Sequence, residues 1–129
     1  MDIYNYVIPG TPIPAHPVTS TTRRFWSEHK QIRLRYRLTL EKQHPTEPIT
    51  GPLSFDITFY LPIQPTKQSS KLYGQPHARS PTIRALVTYL ERVAAGIIFK
   101  KGIAIASINA KKLYDKKPRT ELTVTTLKG

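Results

Sequence analysis

The groups in this 129-residue chain that could do chemistry are 8 carboxylates, 4 histidines and 20 lysines and arginines. The acids are Asp2, Glu28, Glu41, Glu47, Asp56, Glu91, Asp115 and Glu121. Metal-dependent hydrolysis needs several carboxylates around one divalent cation, because Mg²⁺ is held by oxygen ligands and activates the attacking water. These acids are scattered, with no D-x-D or E-x-K pair. Asp56, Glu91 and Glu121 could converge in a fold, although ion pairing with the abundant cations accounts for them more simply. The histidines at 16, 29, 44 and 77 show no metal-ligand spacing, there is no Gly-rich phosphate loop, and nothing arranges a Ser/His/acid triad. The absence of cysteine excludes disulfides, thiolate metal sites and Cys nucleophiles.

The cations are the stronger signal. A formal charge of +12 and a pI near 10.2 favour a polyanionic partner, nucleic acid first. A solvated basic surface, or contact with a membrane surface, is the alternative. Arg23–Arg24 stand beside Phe25–Trp26, a pairing that could grip phosphate and stack a base, unless the rings are core anchors. Lys30, Arg33, Arg35 and Arg37 form a dense basic run, and Lys67, Lys71, His77 and Arg79 stud a polar stretch. No stretch approaches the roughly 20 apolar residues of a membrane span, and MDIYNYVIPG lacks the basic-then-apolar pattern of a signal peptide. No membrane role and a cytoplasmic location are therefore expected.

The elements that must position these groups follow from periodicity. Residues 3–8 (IYNYVI) are rich in β-branched and aromatic residues and end at the turn signal Pro9–Gly10, so they predict a strand. Residues 11–24, with Pro12, Pro14 and Pro17, predict a stiff loop. Residues 27–43 are ambiguous. Ile32, Leu34, Tyr36, Leu38 and Leu40 alternate as in a strand, yet they also form i, i+4 series in a long run free of Gly and Pro. Residues 53–61 (LSFDITFYL) predict a strand with Asp56 on its polar face. Residues 62–79 predict a long, flexible basic loop.

Residues 80–96 (SPTIRALVTYLERVAAG) predict an amphipathic helix. Ser80 is the expected N-cap, Pro81 the first helical residue, and Gly96 a left-handed stop. Its expected apolar stripe is Ile83, Leu86, Val87, Leu90 and Val93, and its outer face Thr82, Arg84, Thr88, Glu91 and Arg92. Strands are predicted at 103–114 and 120–127, after turns at Lys100–Lys101–Gly102 and at 115–119. The order β-α-β-α-β-β gives an α+β class, one domain over 1–129.

One resemblance adds to this reading. The markers are Pro9–Gly10–Thr11–Pro12, Leu61–Pro62, the 80–96 helix with Gly96, Asn109–Ala110–Lys111–Lys112, and Arg119–Thr120–Glu121–Leu122–Thr123–Val124. With these the chain resembles, over nearly its whole length, the RusA family of Holliday-junction resolvases, small dimeric Mg²⁺-dependent nucleases of bacteria and phages. The resemblance implies a RusA-like domain with a mixed sheet and two main helices, and makes the ambiguous 27–43 segment a helix.

The family signature is Pro-Asp-x-Asp-Asn-Leu-x-Lys, then Asp-Ala-Leu-x-Gly, then an acidic pair. Here Pro81, Leu86 and Gly96 remain, while the two helix carboxylates are Thr82 and Arg84 and the Asn is Ala85. The catalytic Lys is Thr88, the later Asp is Arg92, and the acidic pair is Lys101–Gly102. Cations repel Mg²⁺ and cannot ligate it. The resemblance thus implies a pseudo-nuclease that has no metal cofactor and binds branched DNA as a homodimer. The expected DNA surface is Arg23, Arg24, Arg33, Arg37, Arg79, Arg84, Arg92, Lys100, Lys101, Lys111 and Lys112. Two alternatives stand beside it: a working resolvase that uses relocated acids such as Asp56 and Glu121, and a non-enzymatic protein-interaction subunit.

Overall fold

The computed structural model describes residues 2–14, 22–44, 47–63, 72–78, 81–103 and 105–127, with side chains in the first helix from Arg33 onward. Its elements are β1 (Ile3–Pro9), α1 (Thr22–Gln43), β2 (Leu53–Leu61), α2 (Ile83–Ala94), β3 (Ser107–Tyr114) and β4 (Arg119–Thr126), in the predicted order. The sheet order is β1-β4-β2-β3. β4 is antiparallel to both β1 and β2, whereas β2 and β3 are parallel, as a connection through a crossover helix allows. The result is the expected α+β domain with a mixed sheet and two helices.

Strand alternation sorts the sheet into two faces. Leu53, Phe55, Ile57, Phe59 and Leu61 of β2 are all buried, and their register neighbours Leu122 and Val124 of β4 complete one apolar face with Tyr6 and Ile8 of β1. Tyr36 and Leu40 of α1 and Leu86, Tyr89, Leu90, Val93 and Ala94 of α2 join the same core. The other face presents Ser54, Asp56, Thr58 and Tyr60 beside Arg119, Glu121, Thr123 and Thr125. Among the described residues no helix covers it.

Both helices depart from the predicted bounds. α1 starts at Thr22, so Arg23–Arg24–Phe25–Trp26 belongs to its first turns instead of closing a loop; those four side chains lie outside the described residues. The alternation that suggested a strand splits on the helix: Tyr36 and Leu40 turn inward, while Leu34 and Leu38 are 45% and 54% exposed. In α2 the N-cap is Thr82, whose hydroxyl accepts from the Ala85 N–H at 3.2 Å. Pro81 therefore precedes the cap, and Ser80 lies outside the described residues. The helix ends at Ala94 with Ala95 as C-cap, and Gly96 follows at φ +86, the left-handed turn expected of it.

β3 begins at Ser107, not Ile103. Its pairing starts opposite Ser54 at the head of β2, and the Ala106 N–H to Leu53 carbonyl bond is the last link upstream. Each outer edge of the sheet is partly covered. The Gln43 carboxamide bonds the Val7 N–H and carbonyl, both at 2.8 Å, along β1. Along β3, Gly74 donates to the Tyr114 carbonyl, Tyr114 to Gln75, and His77 to the Lys112 carbonyl. These contacts leave less open backbone for strand-to-strand aggregation. They also anchor 72–78, the described part of the long loop expected at 62–79; Lys67, Lys71 and Arg79 lie outside the described residues.

Candidate nucleic-acid interface

α2 and the neighbouring edge strand β3 enclose an open cleft of about 700 Å³. Its lining is Ile83, Arg84, Val87, Thr88 and Glu91 from the helix and Ile108, Asn109 and Ala110 from the strand. Arg84 and Thr88, two of the positions that the resemblance aligns with the family signature, open into it. A third, Thr82, caps the helix just above. The hydroxyls of both threonines are engaged with helix backbone: Thr82 accepts from Ala85, and Thr88 donates to the Arg84 carbonyl at 2.8 Å. Lys101 and Gly102 sit in the turn beyond the other end of α2.

These residues do not fit Mg²⁺. The ion needs charged oxygen ligands, and the five signature positions supply two engaged hydroxyls, two cations and a glycine. Among the described residues no group of three or more His, Asp or Glu could hold a metal. Asp56 and Glu121 lie on the uncovered face of the sheet, while Glu91 lies in the α2 cleft on the opposite side, so the three acids do not converge. Glu121 is also paired with Arg119 at 2.8 Å, and Arg119 bonds Asp115 at 3.2 Å and stacks 3.8 Å over the Tyr60 ring. The Lys117 N–H and then the Arg119 guanidinium hold the Asp115 carboxyl below its ordinary range.

The cations segregate by layer. Arg33, Arg35, Arg37, Lys42, Arg84, Arg92, Lys100 and Lys101 belong to the helices and the turn after α2, where Glu41 and Glu91 are the described acids beside them. The uncovered face is balanced, with Arg119 and Lys111 against Glu121 and Asp56. Lys111 and Lys112 therefore part company, because successive strand residues point to opposite faces. Lys112 shares the face of buried Phe59, and its ammonium donates to the Pro81 carbonyl at 2.7 Å, steadying the chain just before α2. Burial lowers its pKa.

Arg37 also serves the fold. Its guanidinium donates to the Val93 and Ala95 carbonyls at 3.3 and 3.4 Å, capping the negative end of α2. A Cβ on Gly96 would stand 3.4 Å from the Lys101 Cε and 4.0 Å from Arg37 Nη2, so α1 and the turn bring two cations around this glycine. Arg33 lies one turn away, near Tyr89, whose pKa is raised by burial and lowered in part by that guanidinium. Of the expected DNA surface, then, Arg33, Arg37, Arg84, Arg92, Lys100 and Lys101 gather around α2; Lys111 does not. The side chains of Arg23 and Arg24, and all of Arg79, lie outside the described residues.

Sequence reading missed the cleft walls. Ile83 and Val87, expected in the apolar stripe, are only half-buried, and Tyr89 and Ala94, not expected there, are buried in the core instead. The signal was present in Tyr89, a large aromatic residue on the same helical turn as Leu86, which meets Tyr36 edge-on at 5.6 Å between ring centroids. Among the described residues no helix is long and apolar enough to cross a membrane. Comparison with curated proteins gives no match. The family model for endodeoxyribonuclease RusA matches residues 9–125, which include both helices, the cleft, β2, β3 and all but the last residue of β4. The chain belongs to the RusA family, whose Holliday-junction resolvases act on branched DNA.

Proposed function

We propose that this chain is a RusA-fold pseudo-nuclease, a homodimer that binds branched DNA without metal and does not cut it. The observation that carries the reading is the α2 cleft, where the signature's carboxylate positions hold the hydroxyl of Thr82, spent as a helix cap, and the free-standing charge of Arg84. A carboxylate cluster repels a phosphate backbone unless a metal intervenes. Arg84, Arg92 and Lys101 attract it directly.

The helix layer supports the same reading, since it concentrates cations around α2 while the uncovered sheet face is nearly neutral. Phosphate contacts made by Arg33, Arg84, Arg92, Lys100 and Lys101 would fix position and read backbone shape without reading sequence. Each phosphate neutralised steepens the salt dependence on duplex DNA by about 0.9 log units of affinity per log unit of salt.

A gel shift with a synthetic four-way junction, with and without divalent metal, tests the proposal. The expected result is binding that does not require Mg²⁺ and falls steeply with salt, and no cleavage in Mg²⁺ or Mn²⁺. Metal-dependent nicking that disappears in Asp56→Asn would overturn it in favour of relocated acids. Failure to bind any nucleic acid, together with stable co-purification of a protein partner, would favour an interaction subunit.

A further inference from the structure

We infer that the α2–β3 cleft is a pocket for one unpaired nucleotide of the branched DNA, an inference that rests on the DNA-binding reading above. The cleft is poorly made for a hydrated ion and well made for a planar heterocycle. Its walls are aliphatic: Val87 is half-buried, Ala110 packs against the core, and Ile108 stays 40% exposed. Leaving such apolar surface open is costly unless something flat and weakly polar covers it.

The polar groups are few and converge on the same space, as in small-ligand sites. Glu91 carries an acceptor that suits an exocyclic amine, whereas Asn109, in register with Asp56, turns its amide toward the other face of the sheet. Arg84 contributes a cation from the same cleft, available to the nucleotide's phosphate. The volume of about 700 Å³ lies within the range of such sites, about 300–1,000 Å³.

A base still stacked in a duplex cannot enter a cleft of this kind, so occupancy requires one that is unpaired or flipped, and apolar walls can then replace its stacking partners. Unstacking is cheapest at a branch point or mismatch. The pocket therefore confers a preference for interrupted DNA that phosphate contacts alone do not give.

The test uses the full chain and four-way junctions carrying 2-aminopurine at an unpaired position beside the crossover, with an otherwise identical, fully paired junction as control. Two variants probe the pocket without changing its charge: Val87→Trp fills it, and Ile108→Ala removes the exposed part of its wall. The wild type is expected to raise 2-aminopurine fluorescence and to favour the unpaired junction by roughly tenfold, the order of one base–side-chain stack. Both effects are expected to disappear in Val87→Trp and to shrink in Ile108→Ala, while the paired junction is bound as before. Tight junction binding without a fluorescence change in the wild type would overturn the pocket but leave the DNA-binding reading intact. A fluorescence rise retained in both variants would place the base elsewhere and overturn it equally. No junction binding at all would remove the DNA-binding reading, and the pocket with it. Thermal melts establish that both variants fold, and Ile108→Ala, at a partly exposed edge-strand position, keeps the test decisive if Val87→Trp does not.

Discussion

Arg37 is where structural and DNA-binding roles can be separated by measurement. Its guanidinium makes two bonds to the last carbonyls of α2, at 3.3 and 3.4 Å, from a partly buried position. A hydrogen bond to a charged group contributes about 1.5–3 kcal/mol at good geometry. These are long and partly solvated, so about 1 kcal/mol for the pair is the appropriate scale, with about 0.3–1 kcal/mol more from a cation at a helix C-terminus. Arg37→Ala should then cost roughly 1–2 kcal/mol. For a domain of this size that is a fall in melting temperature of roughly 4–10 °C. Arg92→Ala removes an exposed cation near the same helix end and serves as the comparison; it should move the melting temperature by under about 2 °C. Both should weaken junction binding. The assay is a thermal melt followed by circular dichroism, alongside junction titrations at two salt concentrations. If Arg37→Ala melts with the wild type, the capping bonds contribute nothing and Arg37 belongs wholly to the DNA surface.

Other perturbations separate the remaining roles. Lys101→Ala should reduce the slope of log affinity against log salt by about 0.9, one phosphate's worth, in junction titrations; an unchanged slope would take Lys101 off the DNA surface. Thr82→Ala removes the α2 cap and should cost about 1 kcal/mol in urea denaturation, whereas Thr82→Asp keeps a capping oxygen and should cost nothing measurable. With Arg84→Asp added to Thr82→Asp, junction affinity in EDTA should fall and Mg²⁺ should restore part of it; a variant indifferent to Mg²⁺ would show that the cleft cannot take up the ion even with carboxylates returned. Burial raises the Tyr6 and Tyr36 phenols above their ordinary pKa of 10.0. They stay protonated in the folded chain where the unfolded chain ionises, so their contribution is present below pH 10.0 and lost as pH rises above it. Tyrosinate absorbance from these two rings should therefore appear together with alkaline unfolding, and Tyr36→Phe should shift that unfolding to higher pH; early, unfolding-independent ionisation would contradict the burial argument.

The order of elements was legible because it depends on short-range pattern. Residues 53–61 place five alternating apolar side chains on one face, and all five are buried. What escaped the pattern was set by tertiary context. The leucines and tyrosine of α1 satisfy strand and helix periodicity alike, and only the position of Tyr36 and Leu40 against α2 and the sheet decides which are core. In α2, hydropathy favoured Ile83 and Val87 over Tyr89, but the edge-on packing with Tyr36 turns the tyrosine inward and leaves the two aliphatics to wall the cleft. The cap falls on Thr82, whose hydroxyl accepts from Ala85 N–H, and the Lys112 ammonium holds the Pro81 carbonyl just before it from a strand 31 residues away, a long-range bond that no local signal records. Strand alternation sends Lys112 to that contact and its sequence neighbour Lys111 to the opposite face.

Of the residues at the positions where the resemblance places acids, Thr82 and Arg92 suit the end of the helix where they sit, whereas Arg84, a cation in the first turn, works against the helix dipole. An N-cap needs an oxygen acceptor for an orphan N–H, and Thr82 supplies it as a carboxylate would. Toward the C-terminus the helix dipole is negative, so an acid there works against the field while Arg92 works with it, and Arg37 and Lys101 add cations around Gly96. An array of carboxylates along one short helix is tolerable when a metal neutralises it and destabilising when none does. Functional constellations of like charge are bought at a cost in stability, and substitutions that relieve the cost are easy to find. Measured against the positions the resemblance marks, Thr82 keeps the cap and Arg92 places a cation at the negative end of α2, while Arg84 stands in the first turn for the cleft to use rather than for the helix.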